Sequence, residues 1–118
     1  MIELKEVSFS YHKNRAGDEG VLRNVNLMVT REDFIAIMGT TGSGKSTLIQ
    51  HMNGLLEPTR GKVFYQGENI WEKDYPRKNL RQKVGLVFQF PEYQLFEETI
   101  LKDIAFGPIR HFSLQLRK

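Results

Sequence analysis

The chain contains no cysteine, so it can build neither a disulfide framework nor a thiolate metal site, which is compatible with a reducing cytoplasm. No apolar run approaches the ~18 residues that a membrane-spanning helix needs. The longest are short stretches such as Val84 to Phe88, broken by Gly85. The first residues, Met1 to Glu6, are charged from the third position and lack an apolar segment followed by small residues, so they do not read as a secretory signal. No internal repeat is visible. These absences lead to the expectation of a cytoplasmic protein.

What is present is ordinary for a globular protein: 118 residues, 40% of them hydrophobic and 26% charged. That length suits one domain with its own core and is too short for two of usual size. The net charge is +3, and basic residues gather at Lys73, Arg77, Lys78, Arg81 and Lys83. Glu72 and Asp74 are interleaved, however, and no nucleic-acid-binding motif accompanies the stretch, so no nucleic-acid partner is expected. It reads either as a solvated, partly helical connector or as a surface facing anionic headgroups or an acidic partner.

The informative segment is Gly39-Thr40-Thr41-Gly42-Ser43-Gly44-Lys45-Ser46, which has the form G-x-x-x-x-G-K-[ST]. With Gly at a background of about 7%, a chance match of the four fixed positions is well under ~1% for a chain this long. The spacing has a physical reason: a strand must turn sharply and wrap its backbone around a polyphosphate, and only glycine-rich backbone can come close enough. The turn should then enter a helix, whose unpaired N-terminal donors and positive dipole end complete an anion site. Lys45 would reach the β- and γ-phosphates, and Ser46 would supply a hydroxyl to Mg²⁺. The flanks supply the required context. Phe34, Ile35, Ala36, Ile37 and Met38 form a strand-like run before the loop. After it, Leu48, Ile49 and Met52 fall at helical spacing, and Gly54 stands where a helix C-terminus accepts a left-handed residue.

Elsewhere, Ile2, Leu4, Val7 and Phe9 alternate imperfectly with polar residues, as do Val21, Val25, Leu27 and Val29, implying two half-buried strands joined by an irregular loop over Lys13 to Gly20. Phe34 to Met38 and Val84 to Gln89 read as central strands covered on both faces, and Lys62 to Gln66 as a further strand. A short helix is expected within Trp71 to Gln82. Another is expected over Thr99 to Phe106, with Thr99 as N-cap, Ile100, Leu101 and Ile104 facing inward, and Gly107-Pro108 as its stop. Residues 109–118 carry no clear pattern. The expected fold is α/β: a P-loop nucleotide-binding core with a partial parallel sheet, preceded by a small antiparallel β-subdomain.

From Ile2 through Pro108 these residues resemble the ATP-binding subunit of ABC transporters. The resemblance rests on an aromatic at the end of the first strand (Phe9-Ser10-Tyr11), the phosphate loop, and a glutamine ending a later strand (Gly85-Leu86-Val87-Phe88-Gln89). The continuation, Phe90-Pro91-Glu92-Tyr93-Gln94-Leu95-Phe96 and then Glu97 to Pro108, looks like the energy-coupling factor branch, which imports vitamins or transition metals. The resemblance implies ATP and Mg²⁺ as ligands, with Gly39 to Ser46 and Thr47 around the phosphates. It implies that Gln89 contacts Mg²⁺ or the attacking water and that the Tyr11 ring stacks on adenine; packing of Tyr11 within the β-subdomain is the other reading. It implies a second ATP-binding subunit, identical or paralogous, and a transmembrane coupling subunit. The coupling helix of that subunit would enter a groove near Gln89, Glu92, Tyr93, Leu95 and Phe96 at the cytoplasmic face of the membrane. For each groove residue, core packing stands as the alternative. His12, His51 and His111 share no motif and are assigned no chemistry.

The family's later motifs, an L-S-G-G-Q loop and an apolar strand ending in Asp-Glu, do not occur in this sequence. The expectation is therefore an N-terminal part of the ATP-binding domain over residues 1–108. Residues 109–118 are expected to be an atypical tail, frameshifted or truncated. Such a chain is expected to bind ATP and, alone, to hydrolyse it negligibly. Two other functions remain open at this point: a non-catalytic nucleotide-binding or degenerate gene product, and a soluble ATPase of the same superfamily serving DNA repair or translation.

Overall fold

The computed structural model describes residues 1–12 and 20–112. The expected irregular loop over residues 13–19 and the tail from residue 113, like the side chain of His111, lie outside the described residues. The chain forms two compact units, Met1–Leu86 and Val87–Lys118.

The first unit is organised by a four-stranded antiparallel sheet in the order β2-β1-β3-β4, where β1 is Ile2–Phe9, β2 Leu22–Val29, β3 Arg60–Tyr65 and β4 Glu68–Asn69. In β1, Ile2 is paired with Val29 on one side and with Tyr65 on the other. The imperfect alternation of the β1 sequence has a structural cause. Glu6 takes a positive φ of 50°, and the register with β2 shifts between Leu4 and Val7. This bulge switches the parity of the strand, so Leu4, Val7 and Phe9 all reach the buried face although their spacing is not a simple repeat of two. Asn26 supports the kink: its side-chain oxygen accepts from the Glu6 amide at 2.9 Å, and its side-chain nitrogen donates to the Asn24 carbonyl at 3.2 Å. β3 and β4 are joined at Gln66 and Gly67, both with positive φ, which makes the two-residue turn whose twist matches the strands. The sequence reading stopped at β3 and missed β4.

Two helices close over this sheet. α1, Lys45–Met52, ends as the sequence suggests: the Gly54 amide donates to the His51 carbonyl and the Leu55 amide to the Gln50 carbonyl, so the last turn's carbonyls are satisfied. α2, Arg77–Lys83, follows Pro76 as expected of a helix start and buries Leu80. The core is Leu4, Val7, Phe9, Leu22, Val63, Ile70 and Leu80. Two members of the basic cluster serve this packing directly. Arg77 lies over the Trp71 ring and Arg81 donates to the Gly54 carbonyl at 2.9 Å.

Two strand expectations are not met. Phe34 to Met38 and Val84 to Gln89 form no ladder; in the first run Phe34 is 100% exposed and Met38 90%, while in the second Val87 is 87% exposed and Val84, Leu86 and Phe88 are half-buried, Val84 against the core. A continuous apolar run states a demand for burial on both faces, but it does not supply the neighbours that would meet that demand. None of the described strands pairs with either run.

The described residues of the second unit form a 3-10 turn, Pro91–Gln94, and α3, Ile100–Phe112. Thr99 caps α3 as expected, its hydroxyl accepting from the Lys102 amide at 3.3 Å. The expected stop at Gly107-Pro108 is not observed, because the helix runs through to Phe112 with Pro108 inside it. A proline disfavours helix at the preceding residue by clashing with its Cβ, and Gly107 has none. Nor do Ile100, Leu101 and Ile104 face inward; all three are exposed, and Ala105 is the buried residue. The unit instead packs through Phe96 and Phe106, whose rings meet edge to face at 4.7 Å, with Asp103 accepting from the Phe96 amide.

Two outcomes follow from the sheet and the buried His51 imidazole. Gly61, at φ +84°, lies so close to the bulge that a Cβ there would run into the carbonyl oxygens of Lys5 and Glu6. Gly61→Ala should therefore destabilise the fold by about 2 kcal/mol or more, read as a lowered urea midpoint. His51 is fully buried, and burial pushes its pKa below the ordinary histidine value while its bond to the Thr47 carbonyl acts in the opposite sense. The unfolded chain then takes up a proton near pH 6.5 that the folded chain resists. Stability should fall as pH drops below about 6.5 and be level above it, with a slope of at most about 1.4 kcal/mol per pH unit from this group. Chemical denaturation at pH 7.5 and 5 compared with His51→Leu checks it: the variant should lose part of the slope.

Candidate functional site

The phosphate loop is seated by the sheet. The Val21 amide donates to the Phe9 carbonyl at 2.7 Å, extending the pairing of β1 and β2 to the point where the loop passes. Gly44 sits there at φ +98°, and a Cβ on it would meet Val21 Cγ1 at 3.0 Å, the Val21 carbonyl at 3.1 Å and Leu22 Cδ2 at 3.3 Å. No other residue combines that backbone conformation with that approach, which is why the motif needs glycine at this position. The Gly44 carbonyl then accepts the first helical bond, from Leu48 at 2.9 Å, so the loop passes directly into α1.

Lys45 folds back over the loop. Its Nζ donates to the Gly39 and Thr40 carbonyls, each at 2.7 Å, and to Ser43 Oγ at 3.2 Å. These partners are all neutral oxygens of the loop itself, so the ammonium charge adds to the positive end of the α1 dipole. The arrangement is a preformed cationic turn with helix amides behind it, which suits a polyphosphate. A Cβ at Gly39 would meet Ser43 Oγ at 2.6 Å, a side-chain contact that rotation of Ser43 could relieve. Thr40, Thr41, Gly42 and Ser46 are exposed along the same turn. Among the described residues no cluster of three or more His, Cys, Asp or Glu side chains could hold a metal ion. A divalent cation here would depend on hydroxyl oxygen, such as that of Ser46, and on oxygens of the phosphate, as suits Mg²⁺.

Tyr11 is drawn to the same place. Its hydroxyl lies 3.0 Å from Thr47 Oγ1, and its ring meets Phe9 edge to face at 4.8 Å while remaining more than half exposed. Thr47 is buried, and its carbonyl accepts from His51 Nδ1 at 2.7 Å. The structure thus gathers Tyr11, Gly39 to Ser46 and Thr47 in the first unit. Gln89, Glu92, Tyr93, Leu95 and Phe96 belong to the second unit, and all five are exposed there. His51 is the site-adjacent residue that sequence reasoning missed. The helical pattern pointed to Leu48, Ile49 and Met52, whereas the fully inward face of α1 is Thr47 and His51, four residues apart. That spacing was the available signal, but a polar pair does not announce burial.

Comparison with known proteins agrees with this fold. The family profile for ABC transporters matches residues 22–115. The energy-coupling factor transporter ATP-binding protein EcfA2 of Bacillus licheniformis is 52% identical over 99% of this chain, and that of Caldanaerobacter subterraneus is 51% identical over 91%. The chain spans only 41% and 37% of those relatives' lengths. Among solved structures, cbiO1 of Clostridium perfringens, part of the ABC transporter complex cbiONQ, superposes with a TM-score of 0.73 at 30% identity, covering 98% of this chain and 43% of that one. The ATP-binding cassette MJ0796, a dimer bound to ADP and phosphate in a post-hydrolysis state, gives 0.72 at 28% identity, over all of this chain and half of that one. The mixed α/β architecture, its phosphate loop and the matched sequence place the chain in the ABC transporter family.

Proposed function

We propose that this chain carries the phosphate-binding part of the ATP-binding subunit of an energy-coupling factor type ABC importer, with residues 1–108 as the N-terminal part of that domain and 109–118 as an atypical tail. The observation that carries the reading is the seated glycine turn that feeds α1 with Lys45 folded over it. ATP is held by Gly39, Thr40, Thr41, Gly42, Ser43, Gly44, Lys45, Ser46 and Thr47, with Tyr11 against the adenine. Ser46 gives its hydroxyl to Mg²⁺, and Gln89 completes the metal or orients the attacking water. A second ATP-binding subunit and a transmembrane coupling subunit are the partners. The latter docks near Gln89, Glu92, Tyr93, Leu95 and Phe96, whose exposure supports the role of a docking surface over that of core packing. Among the described residues no helix is long and apolar enough to cross a membrane, so attachment to the cytoplasmic face would come through that partner.

Phosphoryl transfer is mostly positioning and charge stabilisation, and a positioned acid-base group is commonly worth ~10²- to 10⁴-fold in rate. The sequence holds no apolar run ending in Asp-Glu to provide one. Calorimetric titration of the 118-residue chain should therefore register Mg-ATP binding, and a phosphate-release assay should register negligible turnover. Lys45→Ala should weaken that binding by about tenfold or more, the size of a lost charge-assisted contact. Unchanged affinity in this variant, or turnover that it abolishes, would count against the reading.

A further inference from the structure

Four residues beside the phosphate loop close a ring of contacts. Phe9 and Tyr11 meet edge to face at 4.8 Å, and the Tyr11 hydroxyl lies 3.0 Å from Thr47 Oγ1. The Thr47 carbonyl lies 2.7 Å from His51 Nδ1, and the His51 ring returns to Phe9, edge to face at 4.8 Å. A carbonyl only accepts, so Nδ1 carries the proton and donates. Nε2 is then a lone-pair acceptor, fully buried and with no hydrogen-bond partner among the described residues. A buried polar atom left unpaired is a cost that an aliphatic residue at position 51 would avoid. The imidazole is distinguished from an aliphatic filler by two things it does at once: it holds the Thr47 backbone and it backs the Phe9 ring. Both contacts lead to Tyr11, which is anchored by its hydroxyl on one side and by Phe9 on the other, while most of its ring surface stays open.

We propose that His51 and Thr47 are positioning residues that fix the open Tyr11 ring against the first turn of α1, so that the surface for the base and the turn for the phosphates form one rigid unit. The inference rests on the nucleotide reading above and deepens it. Neither residue needs to touch the base. Their effect is to present Tyr11 already oriented, which spares the ordering of an aromatic side chain when ligand arrives. The signature is a selective one: ligands with a base should sense the ring of contacts, and a bare polyphosphate should not.

The test uses the 118-residue chain titrated with Mg-ATP and with Mg-tripolyphosphate. Tyr11→Phe keeps the ring and removes its hydroxyl; His51→Phe keeps a ring against Phe9 and removes the donor. Each should weaken Mg-ATP binding by roughly three- to tenfold, the size of one net hydrogen bond, and leave Mg-tripolyphosphate binding within about twofold. The double variant should lose less than the product of the two single losses, because both break the same linkage. Equal losses for both ligands would assign His51 to fold stability alone and overturn the proposal, as would unchanged ATP affinity in either variant or a fully multiplicative double. If His51→Phe gives no cooperative melt, His51→Leu, which removes both the ring and the donor, is read in its place by the same criteria. Failure of the unsubstituted chain to bind either ligand would overturn the nucleotide reading itself and the proposal with it. Binding of tripolyphosphate but no gain from the base would overturn the proposal and leave the phosphate site standing.

Discussion

The bulge at Glu6 in β1 is the constraint on which the first unit is arranged. Without the parity switch, Leu4 and Phe9 would point to opposite faces of the sheet, and the strand could not both fill the core and offer an aromatic edge to α1. The kink is held from one side by Asn26 and leaves room on the other only for a residue without a side chain, Gly61. Phe9 then meets His51, and the neighbouring start of β2 meets Gly44. A local irregularity in an antiparallel strand thus fixes where the phosphate loop sits, through contacts far apart in sequence.

The site built on that scaffold is cationic and closed on itself. Lys45 is satisfied by oxygens of its own loop, so the charge is available to a ligand without an opposing carboxylate to displace. A polyphosphate would take over the donors that the loop carbonyls now occupy and would find the α1 amides behind them. A divalent cation there would draw on a hydroxyl such as that of Ser46 and on phosphate oxygens, as suits Mg²⁺.

The apolar runs at Phe34 to Met38 and Val84 to Phe88 are the counterpart. They are patterned for a sheet interior, yet neither pairs with a described strand, and the first lies open while the second is only half-buried, in a chain that spans about two fifths of its curated relatives. Exposed apolar segments of high β-propensity that lack ladder partners are also prone to pair with other chains. The second unit behaves in the same way on a smaller scale. α3 forms because its cap and internal bonds are local, but Ile100, Leu101 and Ile104 stay exposed, and Phe96 on Phe106 supplies a contact instead.

The sequence by itself determined the phosphate loop, the helix after it with its glycine-terminated end, the two first strands, the Thr99 cap and the family, because each is written in local chemistry: a spacing, a cap, an alternation or a motif. Tertiary structure alone decided which face of α1 is inward, that His51 is buried beside the site, and that Tyr11 is tied to Thr47. It also decided that the two most apolar runs stay unpaired. Those features depend on what stands opposite a residue across the fold. Burial is a property of pairs of surfaces, and a one-dimensional pattern gives only one of the two.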